Sequence, residues 1–550
     1  MRLRIALIGA IHLAALMILL RTEYGSFAIA LAIITWTLLN CLWLFVLRSP
    51  GVSAVLSLVL IAILIRLSQF KFEILQLSLT FLDFLLIDSG TFAFLLSVFP
   101  QLKGYLIVSS IAVMLAIWLI WRLDPFRIRR SVAAAGAAIC MMLIAAFAVA
   151  VPEQPWEPFQ GVNHISNLAR SGAVAVSHLV STGWIEADAK SSGDLPGLSA
   201  MPCEPPARRP HVILLLDESS FDITAAPGVK VPDGYRDYFK SIDGKQRAFV
   251  AEATGGPTWY TEFNVLAGLS AQSFGNLKFY VTRIASGRVK RGLPLSLQRC
   301  GYKTYSLYPA SGDFLDARGF QKTTGVDHFI DMKDMGVDED MQPDSFYFDQ
   351  ALKVFTKERG GGSPLFVFVY LTANHFSWTW AYRPDLTPDW KAPGNAPETD
   401  EYLRRQAMTV KDYNSFVARL REDFPDESFL IVRFGDHQPA ISQKLLEPGL
   451  DPKALGSRIM TRDVRYYSTY YAIDGVNFRP RDLSSSLETL DAAYLPIAVL
   501  DAAGIPLDPS FEEQKKIMLR CKGLFYACKH GAEARRFNRL LIDAGMIKGL

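Results

Sequence analysis

Hydrophobic and polar positions alternate on two different scales along this chain. Through residue 151 the apolar residues form long blocks, with charges confined to short breaks; afterwards they return as short runs between polar stretches. Five blocks, at 5–20, 27–47, 52–67, 105–121 and 132–151, are long enough to cross about 30 Å of hydrocarbon as helices. The first starts Met-Arg-Leu-Arg in the manner of a secretion signal. No small-residue cleavage site follows it and further spans do, so it reads as a helix. Residues 71–100 are also apolar but are broken by Lys71, Glu73, Asp83 and Asp88, which predicts one or two amphipathic helices lying at the outer interface. Read instead as a sixth span, that region would reverse the topology.

Loop charge sets the orientation. With the N-terminus inside, the inner segments hold Arg2, Arg4, Arg48, Arg122, Arg127, Arg129 and Arg130, and five spans put everything after Val151 outside. Residues 152–205, rich in Pro, Gly, Ser and Ala with a short helical pattern at 165–179, read as a connector. The soluble part is then 206–550. Strand-like runs occur at 211–216, 248–253, 303–308, 365–371, 428–434 and 467–473, with helical patterns at 293–300, 345–357, 400–423 and 487–503. Such alternation predicts an α/β domain, a mainly parallel central sheet with helices on both faces.

Composition sharpens this picture in two places. A formal charge of only +3, without a long Lys/Arg run, gives no argument for a nucleic-acid partner. Of six cysteines, Cys41 and Cys140 lie inside apolar blocks, whereas Cys203, Cys300, Cys521 and Cys528 lie in the soluble part. In an oxidising compartment those four would be disulfide-bonded, Cys521 with Cys528 as the local pair and Cys203 with Cys300 as the other.

Candidate chemistry collects where strands end. Glu218 follows the run 211–216, Asn374 and His375 follow 365–371, and Asp436 and His437 follow 428–434. Open parallel sheets bind ligands outside the carboxyl ends of their strands, and carboxylates with imidazoles are divalent-metal ligands. A fourth candidate is the stretch Thr254-Gly-Gly-Pro-Thr258-Trp-Tyr-Thr-Glu262-Phe263, a tight bend that delivers a hydroxyl to the start of a helical pattern. There an anion is favoured by the helix dipole. Each feature has a plainer reading: Thr258 or Thr254 as an N-cap, Glu218 as a helix-start acid, Gly435-Asp436 as a turn, His375 as a satisfied buried imidazole. Their recurrence at three strand ends, in a chain with eight histidines, favours a site.

At these residues the chain resembles the membrane-anchored branch of the alkaline phosphatase and sulfatase superfamily. It is most similar to lipoteichoic acid synthases and bacterial phosphoglycerol transferases, with phosphoethanolamine transferases next. Leu216-Asp-Glu218-Ser matches the element whose Glu binds metal; Gly256-Pro-Thr258-Trp-Tyr-Thr-Glu262-Phe263 matches the element whose Thr is the nucleophile; Asn374-His375 matches a pocket element; Gly435-Asp436-His437 matches a pair of metal ligands. Thr258, four residues before Glu262, stands in the family's register, and Thr254 and Thr261 do not. The segment from Tyr308 to Asp327 resembles one that carries a substrate-phosphate arginine, here Arg318. It departs from the family in a spacing one residue short before Gly325, in Asp316 where an aromatic usually stands, and in Tyr308 near the place of a pocket histidine. Cys203-Glu-Pro-Pro-Ala-Arg208 looks like the signature that sulfatases convert to formylglycine, but it has one residue too many and precedes the first strand.

The resemblance implies one divalent metal, Mn²⁺ or Zn²⁺, held by Glu218, Thr258, Asp436 and His437. His375, Arg318 and Tyr308 would then contact substrate. It further implies a multi-pass protein of the bacterial inner membrane with its catalytic domain in the periplasm or extracytoplasmic space. Such an enzyme would take a phospholipid headgroup phosphate, phosphoglycerol foremost, through a covalent threonine intermediate to a glycan or lipid-sugar acceptor. Alternatives are phosphoethanolamine transfer to lipid A or a glycan, a phosphodiesterase or sulfatase that uses water, and a scaffold that keeps the fold without the chemistry.

Overall fold

The computed structural model describes residues 2–548 except 76–77, 87–95, 97–100, 125, 152–156, 158–160, 182, 191–192, 194, 196–202, 205–207 and 338–340. It divides into two compact units, Met1–Gly183 and Trp184–Leu550.

The first unit is helical. Four of its helices are long and apolar enough to cross a membrane, over Ile5–Thr22, Ser26–Leu47, Pro50–Phe72 and Arg130–Ala150. The remaining expected span, 105–121, lies on the helix Gln101–Leu123, several of whose side chains are outside the described residues. The third helix runs further than its apolar block, to Leu75, and so carries Lys71 within it. A short helix, Phe81–Leu86, follows. Lys71 and Asp83, two of the charges that interrupt the hydrophobic pattern here, pair with each other at 2.7 Å; neutralised in this way, they can be buried among apolar neighbours. Most of 87–100 is outside the described residues. The helical pattern at 165–179 becomes the helix His164–Ser181, whose first turn is capped by buried Glu23 through Ile165 N at 2.8 Å and the Ser166 hydroxyl at 2.6 Å.

The second unit is an α/β domain around an eight-stranded sheet of order β4-β3-β5-β1-β6-β7-β2-β8. The strands are β1 (His211–Asp217), β2 (Arg247–Val250), β3 (Lys303–Leu307), β4 (His328–Ile330), β5 (Leu365–Leu371), β6 (Phe429–Gly435), β7 (Ser468–Val476) and β8 (Thr489–Asp491). Only β7 runs against the others. Central β1, β5 and β6 are almost wholly buried, so they read as continuous apolar runs instead of alternating ones. The helices Asp344–Glu358 and Pro397–Asp423 pack one face of the sheet through Phe348, Phe355, Phe416 and Leu420.

All six expected strands are present. The three-residue strands β4 and β8 are not legible as patterns. The helix expected over 487–503 is a correction: residues Thr489–Asp491 form β8, paired in parallel with β2, and the helix begins at Leu495 with Pro496 in its first turn. Backbone pairing with an edge strand wins over helical spacing there, and Asp491 caps the turn between the two through Ala493 N. Disulfides join Cys203 to Cys300 and Cys521 to Cys528.

Candidate metal centre and nucleophile

In the sheet register Asp217 stands opposite both Leu371 of β5 and Gly435 of β6. The chain segments that leave these three strands therefore emerge side by side. Strand β2 runs parallel to them and adds the loop that leads to Thr258.

The ends of β1 and β6 are drawn together by two backbone features. A Cβ at Gly435 would stand 1.8 Å from the Ser220 carbonyl oxygen, so only glycine permits the approach. Ser219 takes a left-handed turn, φ 52°, and its N–H donates to Asp436 Oδ1 at 2.8 Å. Asp217 turns to the opposite side, where the Tyr470 and Tyr238 hydroxyls donate to it. That alternation leaves Glu218 to face Asp436 and His437.

Glu218, Asp436 and His437 are all buried, with ligand atoms within 4.8 Å of one another. His437 Nε2 lies 3.4 Å from Glu218 Oε1 and 3.3 Å from Asp436 Oδ2. His437 Nδ1 donates to the Gln438 carbonyl at 2.9 Å, which leaves the Nε2 lone pair facing the carboxylates. Asp436 Oδ2 and His437 Nε2 are buried and without a hydrogen-bond partner. Burial, and then the Glu218 charge, push the Asp436 carboxyl above its ordinary range. Burial would pull His437 down, but Asp436 and Glu218 hold it up. A divalent cation resolves every one of these costs. Tetrahedral ligands at about 2.1 Å from a metal stand about 3.4 Å apart, which is the spacing found. These residues fit a metal.

Thr258 completes the group. The helix Thr258–Ala267 has Pro257 as its N-cap and no side-chain cap bond, so neither Thr254 nor Thr258 serves as the cap. The Thr258 hydroxyl instead points at Glu218 Oε2, 3.3 Å away. Thr261 is spent on structure, its hydroxyl donating to the Asp436 carbonyl at 2.7 Å. Gly255, in the left-handed region at φ 74°, makes the bend that presents this helix end, and its N–H donates to the Gln438 carbonyl at 2.9 Å.

His375 is half-buried on the loop after β5, its Nδ1 2.9 Å from the Phe376 carbonyl. The start of this loop is pinned by Asp344, which accepts the N–H groups of Thr372 and Ala373 at 3.0 Å each. Its remainder is held by Arg405, fully buried, which donates to the carbonyls of His375 (2.6 Å), Ser377 (2.8 Å) and Trp380 (3.0 Å) and to Glu401 at 2.7 Å. Sequence reasoning missed Arg405. Its i,i+4 spacing from Glu401 signals a helix ion pair, but nothing local signals three carbonyl acceptors.

Arg318 and Tyr308 contact a different set of residues. The Arg318 guanidinium pairs with Asp331 at 2.6 Å, donates to the Phe329 carbonyl at 3.1 Å and lies over the Phe329 ring. Tyr308 is buried between the Phe329 and Tyr370 rings. Beneath it, Gln321 Nε2 donates to Glu262 Oε1 at 2.8 Å and to the Tyr370 hydroxyl at 2.9 Å. Glu262 is 1 % exposed, and burial pushes its carboxyl up to about 7. Between its unfolded value near 4.5 and about 7 the folded chain keeps a proton that the unfolded chain has lost, so stability falls as pH rises through that window. Glu262→Gln, which keeps the Gln321 contact, is expected to leave stability at pH 5 nearly unchanged. At pH 8 it should add about 2 kcal/mol, read by urea unfolding at the two pH values.

Comparison with known proteins adds the following. The family model described as Sulfatase matches residues 215–472. No curated protein sequence matches the chain. Among solved structures, the Streptococcus pyogenes phosphoglycerol transferase GacH in complex with sn-glycerol-1-phosphate is similar at TM-score 0.47 and 16% identity, over 62% of this chain and 88% of that one. The lipoteichoic acid synthase LtaP from Listeria monocytogenes gives 0.38 and 17%, over 58% and 76%. The lipooligosaccharide phosphoethanolamine transferase EptA from Neisseria meningitidis gives 0.41 and 12%, over 88% and 96%.

Proposed function

We propose that this chain, which carries a sulfatase-family domain over residues 215–472 behind a set of apolar helices, is a metal-dependent transferase of phospholipid headgroup phosphate. Phosphoglycerol is the headgroup favoured by the motif register around Thr258, and the acceptor is a hydroxyl of a glycan or lipid sugar in the cell envelope. The observation that carries the reading is the Thr258 hydroxyl, at a helix N-terminus and 3.3 Å from Glu218, beside two buried ligand atoms without partners.

Glu218, Asp436, His437 and the Thr258 hydroxyl would hold one divalent cation, Mn²⁺ or Zn²⁺ by ligand type. When bound, it supplies acidity to that hydroxyl and positive charge to the phosphate oxygens. Thr258 Oγ attacks phosphorus, and the P–O bond to diacylglycerol breaks. The departing oxygen takes up a proton, and the headgroup phosphate stays on Thr258 as an ester. The N-terminal dipole of the Thr258–Ala267 helix favours the negative charge that accumulates on the phosphate. An acceptor hydroxyl then displaces Thr258, and His375, on its clamped loop, is the group assigned to take the acceptor's proton. Arg318, the candidate for the phosphate oxygens, is paired with Asp331. A hydroxyl nucleophile in place of a formylglycine precursor argues against sulfate-ester hydrolysis.

Incubation of the full chain with mixed phospholipids and Mn²⁺ or Zn²⁺, followed by mass spectrometry, should find one glycerol-phosphate adduct, on the peptide that contains Thr258. An ethanolamine-phosphate adduct would move the reading to phosphoethanolamine transfer. If diacylglycerol is released equally with and without a glycan acceptor and no transfer product forms, the enzyme is a hydrolase.

A further inference from the structure

The sheet has a second functional candidate at its other edge, where the parallel strands begin. Arg208 and Arg209 lead into β1; Arg359 and Ser363 lie on the turn from the helix Asp344–Glu358 into β5; Phe424 and Glu427 lie on the turn from the helix Pro397–Asp423 into β6. Val212 stands opposite Phe366, and His211 opposite Phe429, so these three turns meet. Together they line a cavity of about 210 Å³. The seven residues of β1 separate it from Glu218 by about 20 Å.

Three guanidiniums line this cavity, and Arg208, Arg209 and Arg359 are in no ion pair among the described residues. Arg209 donates to the Cys300 carbonyl. Arg359 lies over the Phe424 ring at 5.2 Å, a stack that leaves the N–H groups in the guanidinium plane to another acceptor. Arg481 donates to the Arg208 carbonyl at 3.0 Å and brings a fourth guanidinium to the rim.

The two carboxylates that line the cavity do not balance this charge. Glu358 is already engaged, with Lys303 Nζ at 2.5 Å and the Tyr305 hydroxyl at 2.8 Å. Glu427 accepts from His211 Nε2 at 3.1 Å. That ring is neutral: Leu365 N donates to its Nδ1 at 2.9 Å, and burial holds it below its ordinary pKa. Three guanidiniums therefore face one carboxylate that no cation matches. The C-terminal dipoles of two helices end here and offset about half a charge each, which still leaves positive charge without an anion.

A phosphate monoester brings close to two negative charges and three acceptor oxygens, one for each guanidinium. The buried rings of Phe355 and Phe424 give the cavity an apolar wall for the organic part of such a molecule. Sites for drug-sized ligands take about 300–1,000 Å³, so a cavity of about 210 Å³ admits a headgroup-sized ester and excludes an oligosaccharide.

We propose that Arg208, Arg209 and Arg359 form a second anion site, for a phosphate monoester of a small organic group, at the end of the sheet remote from the metal cluster. It goes beyond the transferase reading and does not depend on it. The monoester comes either from a soluble phosphorylated molecule or from a lipid headgroup.

The test is phenylglyoxal labelling of arginines at pH 8 on the full chain in detergent micelles, read peptide by peptide with mass spectrometry. One arm adds sn-glycerol 3-phosphate, a second adds phosphatidic acid to the micelles, and a reference arm adds sodium chloride at matched ionic strength. Labelling of Arg208 and Arg359 should fall at least about fivefold at saturation in one or both phosphate arms, because a bound oxyanion occupies their N–H groups, while exposed Arg236 is unaffected. Protection by glycerol phosphate identifies a soluble ester as sufficient; protection by the lipid alone identifies a headgroup. Arg359→Gln, an exposed position, should move the midpoint of Arg208 protection up about tenfold, and Thr258→Ala should leave it in place. Labelling of Arg208 and Arg359 that is equal in the phosphate and chloride arms overturns the proposal, and needs no variant. An unmoved midpoint in Arg359→Gln overturns it as well, and so does a midpoint that shifts in Thr258→Ala, which would assign the protection to the metal cluster.

Discussion

Thr258→Ala will fold and bind metal but release diacylglycerol from labelled phospholipid slower than the parent by about 10⁴-fold or more, the scale on which covalent catalysis fails without its nucleophile. The fold should hardly notice the change. Thr258 is half-buried, its hydroxyl caps no helix end, and it approaches Glu218 at 3.3 Å. Loss of a single solvent-reachable hydroxyl costs about 0.5–1.5 kcal/mol at most. Thermal unfolding of the variant should therefore stay close to that of the parent, while the adduct disappears. Thr258→Ser, which keeps the oxygen, should retain measurable turnover. Equal diacylglycerol release by Thr258→Ala and the parent would remove Thr258 from the chemistry and leave the cluster as a metal site without a covalent step.

Asp436→Asn separates stability from function in the opposite sense. In metal-stripped protein the Asp436 carboxylate is fully buried beside Glu218, with Oδ2 lacking a donor. An amide there removes one of two neighbouring negative charges and can donate across the gap, so the stripped variant should be more stable than the stripped parent by about 1–3 kcal/mol. The gain in melting temperature on adding Mn²⁺ or Zn²⁺ should be mostly lost, since an amide is a weaker and neutral ligand. Turnover should drop on the order of 10³-fold. Calorimetry with and without a chelator measures the first two effects. A parent that melts at one temperature with and without metal would show that Glu218, Asp436 and His437 do not form a metal site at all.

Much of the site is legible along the chain because it is built from short segments that follow recognisable strands. Glu218, Asp436 and His437 each lie within two residues of a buried apolar run, and a parallel sheet delivers such positions to one edge whatever its strand order. The membrane part is legible for a related reason. A stretch of about 20 apolar residues has few ways to satisfy its backbone except as a helix in lipid. Short edge strands are not legible in this way. Leu490 pairs with Phe249 across the sheet, and a three-residue strand carries too little pattern to announce itself against the helical spacing of 487–503.

What the sequence by itself determined is therefore local: the apolar spans, the strand runs and the residues at their ends. Tertiary structure decided whatever depends on groups far apart in the chain. It is the missing side chain at Gly435, where a Cβ would stand 1.8 Å from the Ser220 carbonyl oxygen, that lets segments more than two hundred residues apart approach. It is the packing of the helix Pro397–Asp423 that brings Arg405 to the carbonyls of His375 and Trp380. Arg318 shows the same dependence: its pairing with Asp331 is visible only in the fold. Hydrogen bonds and charges act over a few ångströms of space, whereas sequence patterns report only the backbone periods of 2 and 3.6 residues. The partners of a buried polar group are therefore fixed only when the chain is folded.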